Sequence, residues 1–138
     1  MASSIPRERK KEYAAALAAL NLKVAFFTEI AAYDPLTATT YAAIKAICTE
    51  VSNAGTGYTT GGYALTGKAS SYLSTNGAIM TAAATTVSSA TFTAHYGVIY
   101  DSTTDKIYGV SDFLQDYVVT NGTITVTWDV TNGLFSIS

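Results

Sequence analysis

From Ala90 onward the chain alternates. Phe92, Ala94, Tyr96, Val98 and Tyr100 fall at every second position, with Thr91, Thr93 and His95 between them. A period of two is the mark of a half-buried strand, because successive side chains point to opposite faces. The run Asp101-Ser102-Thr103-Thr104-Asp105 contains no apolar residue, and Lys106–Val110 then resumes with Ile107, Tyr108 and Val110. This predicts a β-hairpin with a loop longer than the tightest kind. Dense strand formers and the absence of proline place it in the middle of a sheet.

Upstream, Leu22–Ile30 (LKVAFFTEI) predicts the first strand, closed by a turn at Tyr33-Asp34-Pro35. Thr37–Val51 reads two ways. Tyr41, Ile44, Ile47, Cys48 and Val51 recur at helical spacing behind Thr39 or Thr40 as a cap, which favours a short helix, while the Ile, Thr and Val content leaves a strand open. The glycine-rich stretch Asn53–Gly62 predicts a loop or bulge leading into a strand over Tyr63–Leu73. Thr-Asn-Gly occurs at 75–77, 120–122 and 131–133; Asn-Gly tolerates positive φ, so each copy predicts a chain reversal. Thr123–Asp129 alternates threonine with Ile124, Val126 and Trp128, and Leu134–Ile137 continues as strand.

The first twenty residues differ in kind. Pro6 suits a helix start, and Tyr13, Leu17 and Leu20 recur at helical spacing, so a short helix with a narrow apolar stripe is expected, one that needs a surface to dock on. The chain thus reads as an all-β protein, an antiparallel β-sandwich or jelly-roll-like domain over 22–138 with a short N-terminal helical arm over 1–21.

Charge changes the picture more than length does. Only 13% of residues are charged, and tyrosine and glycine, ten of each, are prominent in their place, which points to a surface covered by neighbouring subunits. A homo-oligomer, dimer or trimer, is therefore expected; an ordinary Thr/Tyr-faced β-protein is the plain alternative. A net charge of −2 argues against nucleic-acid binding. Half of the eight basic residues, Arg7, Arg9, Lys10 and Lys11, stand within five positions. Glu8 and Glu12 beside them, and the short apolar run that follows, argue against a cleaved secretory signal. No stretch has the length that spans a bilayer, so no membrane partner is expected.

Candidate chemistry is sparse. One cysteine, Cys48, and one histidine, His95, exclude a disulfide framework and a cysteine-built zinc site. Gly55-x-Gly57 lacks the following helix of a dinucleotide fingerprint, and Gly67-Lys68 is followed by alanine, so no phosphate cradle is expected. His95 reads as a surface or hydrogen-bonded strand residue. Asp101, Asp105, Asp112 and Asp116 read as turn formers, with calcium as the alternative. Asn121-Gly122-Thr123 matches the glycosylation sequon on a position the turn already explains. Neither an enzyme nor a cofactor is expected.

LKVAFFTEIA, GTGYTTGG, TFTAHYGVIYDST, IYGVSDF and the terminal NGTITVTWDVTNGLFSIS together resemble small tailed-bacteriophage virion proteins of the capsid-cement or head-decoration type. The resemblance covers residues 22–138, and the charged helical prefix and the Ala/Ile stretch 42–48 depart from it. It implies a non-enzymatic protein on the outer surface of the head that bridges major capsid proteins. In that setting Arg7, Arg9, Lys10, Lys11, Tyr13 and Leu17 would form the capsid contact. A tail, fibre or baseplate component meeting host glycans or a receptor is the alternative.

Overall fold

A computed structural model describes residues 4–73, 77–129 and 133–137. The chain is mainly β and antiparallel, with an N-terminal helix, as expected. It divides into two compact units, one of Asn21–Ala64 with Thr86–Thr125, the other of Met1–Leu20, Leu65–Thr85 and Val126–Ser138.

The first unit holds a sheet in the order β2-β1-β6-β7, with β3 also on β1. β1 is Leu22–Glu29, β2 Thr49–Glu50, β3 Tyr63–Ala64, β6 Thr85–Asp101 and β7 Ile107–Val126. β1 and β6 run antiparallel with Val24 opposite Ile99 and Phe27 opposite Tyr96. Val24, Ala25, Phe26 and Phe27 are all buried, so both faces of β1 are covered. Its odd positions, Ala25 and Phe27, pack with Ala38, Ile44, Val98 and Tyr100. On the even side, the Phe26 ring lies 6.1 Å from those of Tyr58, Tyr63 and Phe92 and 6.2 Å from Phe113. Period two thus sends one strand's side chains into two separate aromatic and aliphatic layers.

The ambiguous stretch resolves into helix α2, Tyr41–Ile47, followed at once by β2. Thr40 caps it, its hydroxyl accepting the Ala43 N–H at 3.1 Å, and Ile44 is the side chain it buries.

The second unit contains α1 (Arg7–Ala18), β4 (Ala69–Leu73), β5 (Gly77–Thr81) and β8 (Phe135–Ile137). β5 pairs antiparallel with β4, Leu73 opposite Gly77, and with β8, Met80 opposite Phe135. α1 packs on β4 and β5. It starts after Pro6, whose carbonyl accepts the Arg9 and Lys10 N–H groups at 3.0 and 3.2 Å. Its inner face is Lys10 and Ala14, flanked by half-buried Arg7, Lys11, Leu17 and Ala18, so long basic stems join the expected Leu17 in covering apolar surface. Tyr13, expected in that stripe, is 53% exposed.

Three expectations are corrected. Tyr63–Leu73 is two strands, β3 pairing with β1 and β4 with β5, separated by a turn where Gly67 has φ 59°. The Thr120-Asn121-Gly122 triplet is no chain reversal: it lies inside β7, which runs on from the hairpin for 20 residues. Asn121 has the expected positive φ, 50°, but spends it on a kink, its N–H donating to the Thr91 hydroxyl of β6 at 2.9 Å. Finally, only β6 of the hairpin is internal, since β7 closes the sheet order. The strands around the first triplet do pair antiparallel, but residues 75–76 and 131–132 themselves lie outside the described residues.

Candidate functional site

The edge of β1 is closed by the glycine-rich loop and one carboxylate. β3 pairs with Lys23 and Val24, and β2 with Phe27 and Glu29. Between them the Phe26 N–H donates to the Tyr58 hydroxyl at 3.0 Å, and the Phe26 carbonyl accepts the Val51 N–H at 2.9 Å. Tyr58 in turn donates to Glu50 Oε1 at 2.7 Å, an atom that also accepts the Gly61 N–H at 2.8 Å, while Tyr41 donates to Oε2 at 2.7 Å. Lys45 Nζ stands 3.5 Å from Oε2, and the Glu50 side chain is 6% exposed. Tyr41 belongs to the α2 layer and Tyr58 to the Phe26 layer, so Glu50 ties both to the strand edge. The loop reaches this position through Gly62, with φ 79°, where a Cβ would sit 1.9 Å from the Val24 carbonyl oxygen.

Burial foremost, then the bond to Glu50, pushes the Tyr41 and Tyr58 hydroxyls well above the ordinary tyrosine value. Tyr100, stacked on Tyr41 at 4.4 Å and donating to the Gly61 carbonyl at 2.5 Å, is pushed up to about 12 by burial and by the charges of Glu50 and Asp105. A shallow depression of about 320 Å³ beside Glu50 is lined by Lys45, Cys48, Thr49, Ser52 and Thr60. Every oxygen of Glu50 is already engaged, so the hub fastens the loop. This is the structural reading of GTGYTTGG.

The basic helix points largely inward. Arg7 lies over the Tyr72 ring at 3.7 Å and Lys11 at 4.7 Å, so both are cation–π partners of β4. Lys10 is buried and Leu17 half-buried. Of the six contact residues expected from the sequence, Arg9, paired with Glu12, and Tyr13 are the exposed ones.

His95 and two of the aspartates come together across β6 and β7. Nδ1 lies 2.8 Å from Asp116 Oδ1 and Nε2 3.2 Å from Asp112 Oδ1, and the ring tilts against Tyr96. Asp112 also accepts the Leu114 N–H at 2.8 Å. The other pair serves elsewhere. Asp101 accepts from the Thr104 hydroxyl at 2.7 Å and the Thr103 N–H at 3.2 Å, the Thr104 bond foremost in holding its carboxyl below the usual range. Asp105 accepts the Ala42 N–H at the start of α2 at 3.1 Å. Among the described residues no group of three His, Cys, Asp or Glu side chains is placed to hold a metal, and no helix is long and apolar enough to cross a membrane.

Beyond Asp112 lies the feature that periodicity did not reveal. Leu114, Gln115, Asp116, Tyr117 and Val118 are exposed in succession, with Leu114 at 85% and Val118 at 71%. A strand lying on a core alternates buried and exposed; among the described residues this stretch is open on both faces and, at the end of the sheet order, along its edge. Leu114 adopts φ 67°, a conformation costly for a leucine, on a kink fastened by Asp112. In sequence, LQDYV shows only mixed polarity. Comparison with protein-family models, with curated proteins and with solved structures finds no match to this chain.

Proposed function

We propose that this chain is a non-enzymatic virion structural protein that decorates a tailed-phage head and cements it by bridging major capsid proteins. The observation that carries the reading is the open Leu114–Val118 stretch, where aliphatic and aromatic side chains stand exposed on an edge strand. Such a surface suits contact with protein, and a low-charge chain keeps it free of competing repulsion. In this reading the antiparallel strands belong to a sandwich of jelly-roll type, and Arg9 and Tyr13 are the outward-facing part of the helical contact. A lattice repeats a modest interface many times, so no single contact has to be strong.

The test is stoichiometry. Protein added to purified heads co-sediments in a fixed ratio to the major capsid protein, and band intensities of intact particles give the same ratio. A few copies per particle would instead favour a tail or fibre component, a reading for which the exposed Tyr108 and Tyr117 speak, since each carries a flat apolar ring with a polar tip.

A further inference from the structure

We infer that β7 is a self-pairing strand: two copies of this chain join antiparallel along Gln115–Thr120, about a two-fold axis at Tyr117 or Val118. The inference rests on the reading of this protein as one that works by contact, and it names the first partner as a second copy.

An open strand edge presents unpaired N–H and C=O groups, and what satisfies them is another extended strand. Several features favour a copy of the same strand. Gln115–Thr120 is a six-residue extended run bounded at each end by a left-handed residue, Leu114 at φ 67° and Asn121 at φ 50°. A copy turned about the middle of that run meets it with the same run, each kink falling within one residue of the other. An unrelated straight strand would lose its pairing at both kinks. No lysine, arginine or proline occurs between Ile107 and Val126, so two of the usual devices that keep edges apart are missing, and within Gln115–Thr120 Asp116 is the single charge.

Symmetry narrows the register. A two-fold axis normal to a sheet leaves each side chain on its own face, so residues meeting across the seam are identical or an even number apart. Centring on Asp116 would set two carboxylates opposite each other, which is unfavourable. Centring on Tyr117 places Asp116 opposite the partner's Val118; centring on Val118 places it opposite the partner's Thr120. Each choice pairs five residues of the run and forms about four to six backbone hydrogen bonds, six where the central residue turns its own N–H and C=O to the seam. Asp116 Oδ1 lies 2.8 Å from His95 Nδ1 on the neighbouring strand β6, which gives the carboxylate a partner within its own chain.

Sedimentation velocity on the full chain from about 1 to 100 µM tests this, in the concentration range where small strand-paired interfaces associate. The expected result is a monomer that converts to dimer as concentration rises. Val118→Lys, at a position 71% exposed, is expected to keep the circular dichroism and unfolding midpoint of the parent and to remain monomeric throughout. Single cysteines placed at 115 to 119 on a Cys48→Ser background are expected to give disulfide dimers with one maximum, at 117 or 118. A parent that stays monomeric, a Val118→Lys variant that dimerises like the parent, or cross-linking without that maximum would overturn the inference. Head binding separates the two readings: a monomeric parent that still binds heads at lattice stoichiometry sinks self-pairing alone. If Val118→Lys then abolishes head binding, the occupant of the edge is a strand of the capsid protein. A dimer that never binds heads sinks the capsid reading and leaves self-pairing standing.

Discussion

Along β1 the sheet edge is occupied in relay: β3 takes Lys23 and Val24, the Tyr58 hydroxyl takes the Phe26 N–H, and β2 takes Phe27 and Glu29. Along β7, among the described residues, the edge is bridged at its start, where the Ile107 N–H donates to the Thr39 carbonyl at 2.9 Å, and the stretch Leu114–Val118 beyond is exposed. Both borders are rich in tyrosine and threonine, so composition does not separate them. What separates them is a carboxylate with four donors near it and a loop whose glycines bring the backbone against the strand. A closed border spends its aromatics on the fold, whereas an open one leaves them for a partner.

That contrast can be broken at the closed border first. Glu50→Leu leaves two tyrosine hydroxyls and the Gly61 N–H without their acceptor, and is expected to lower unfolding stability by about 3–5 kcal/mol in denaturant titrations. Glu50→Gln, which keeps an acceptor, costs less. Gly62→Ala combines positive φ with a Cβ 1.9 Å from the Val24 oxygen, and should cost about 2–3 kcal/mol by the same measurement.

Alkali probes the same hub without mutation. The folded-state pKa values of Tyr41, Tyr58 and Tyr100 are raised, so their contribution is complete below the unfolded tyrosine value near 10 and is lost as pH climbs from there toward the folded values. Stability followed by fluorescence is expected to be flat up to about pH 9.5 and to fall beyond it, with a late-titrating class of tyrosines in the ultraviolet spectrum. The smallest effect belongs to the open border. Leu114→Gly relieves the left-handed conformation of a side chain 85% exposed, and is expected to raise stability by about 0.5–1 kcal/mol. A loss there would mean that Leu114 packs against its own chain.

The first strand, the cap-and-spacing helix at Tyr41–Ile47 and the alternating hairpin were legible because each follows from a local period or a local hydrogen bond. The Asn121 conformation was legible too, but its consequence was not. A positive φ makes a turn when the flanking strands pair with each other and a kink when both halves pair with β6, and that choice depends on residues thirty positions away. The same holds for the basic cluster: spacing gave the helix, while Tyr72 on β4 decided that Arg7 and Lys11 turn inward.

Local pattern in this chain therefore settles which segments are extended or helical and where the backbone can bend. Tertiary pairing alone decides which border of the sheet is sealed and which is left open, because an unpaired backbone group is a property of what stands beside a strand and not of the strand's own residues.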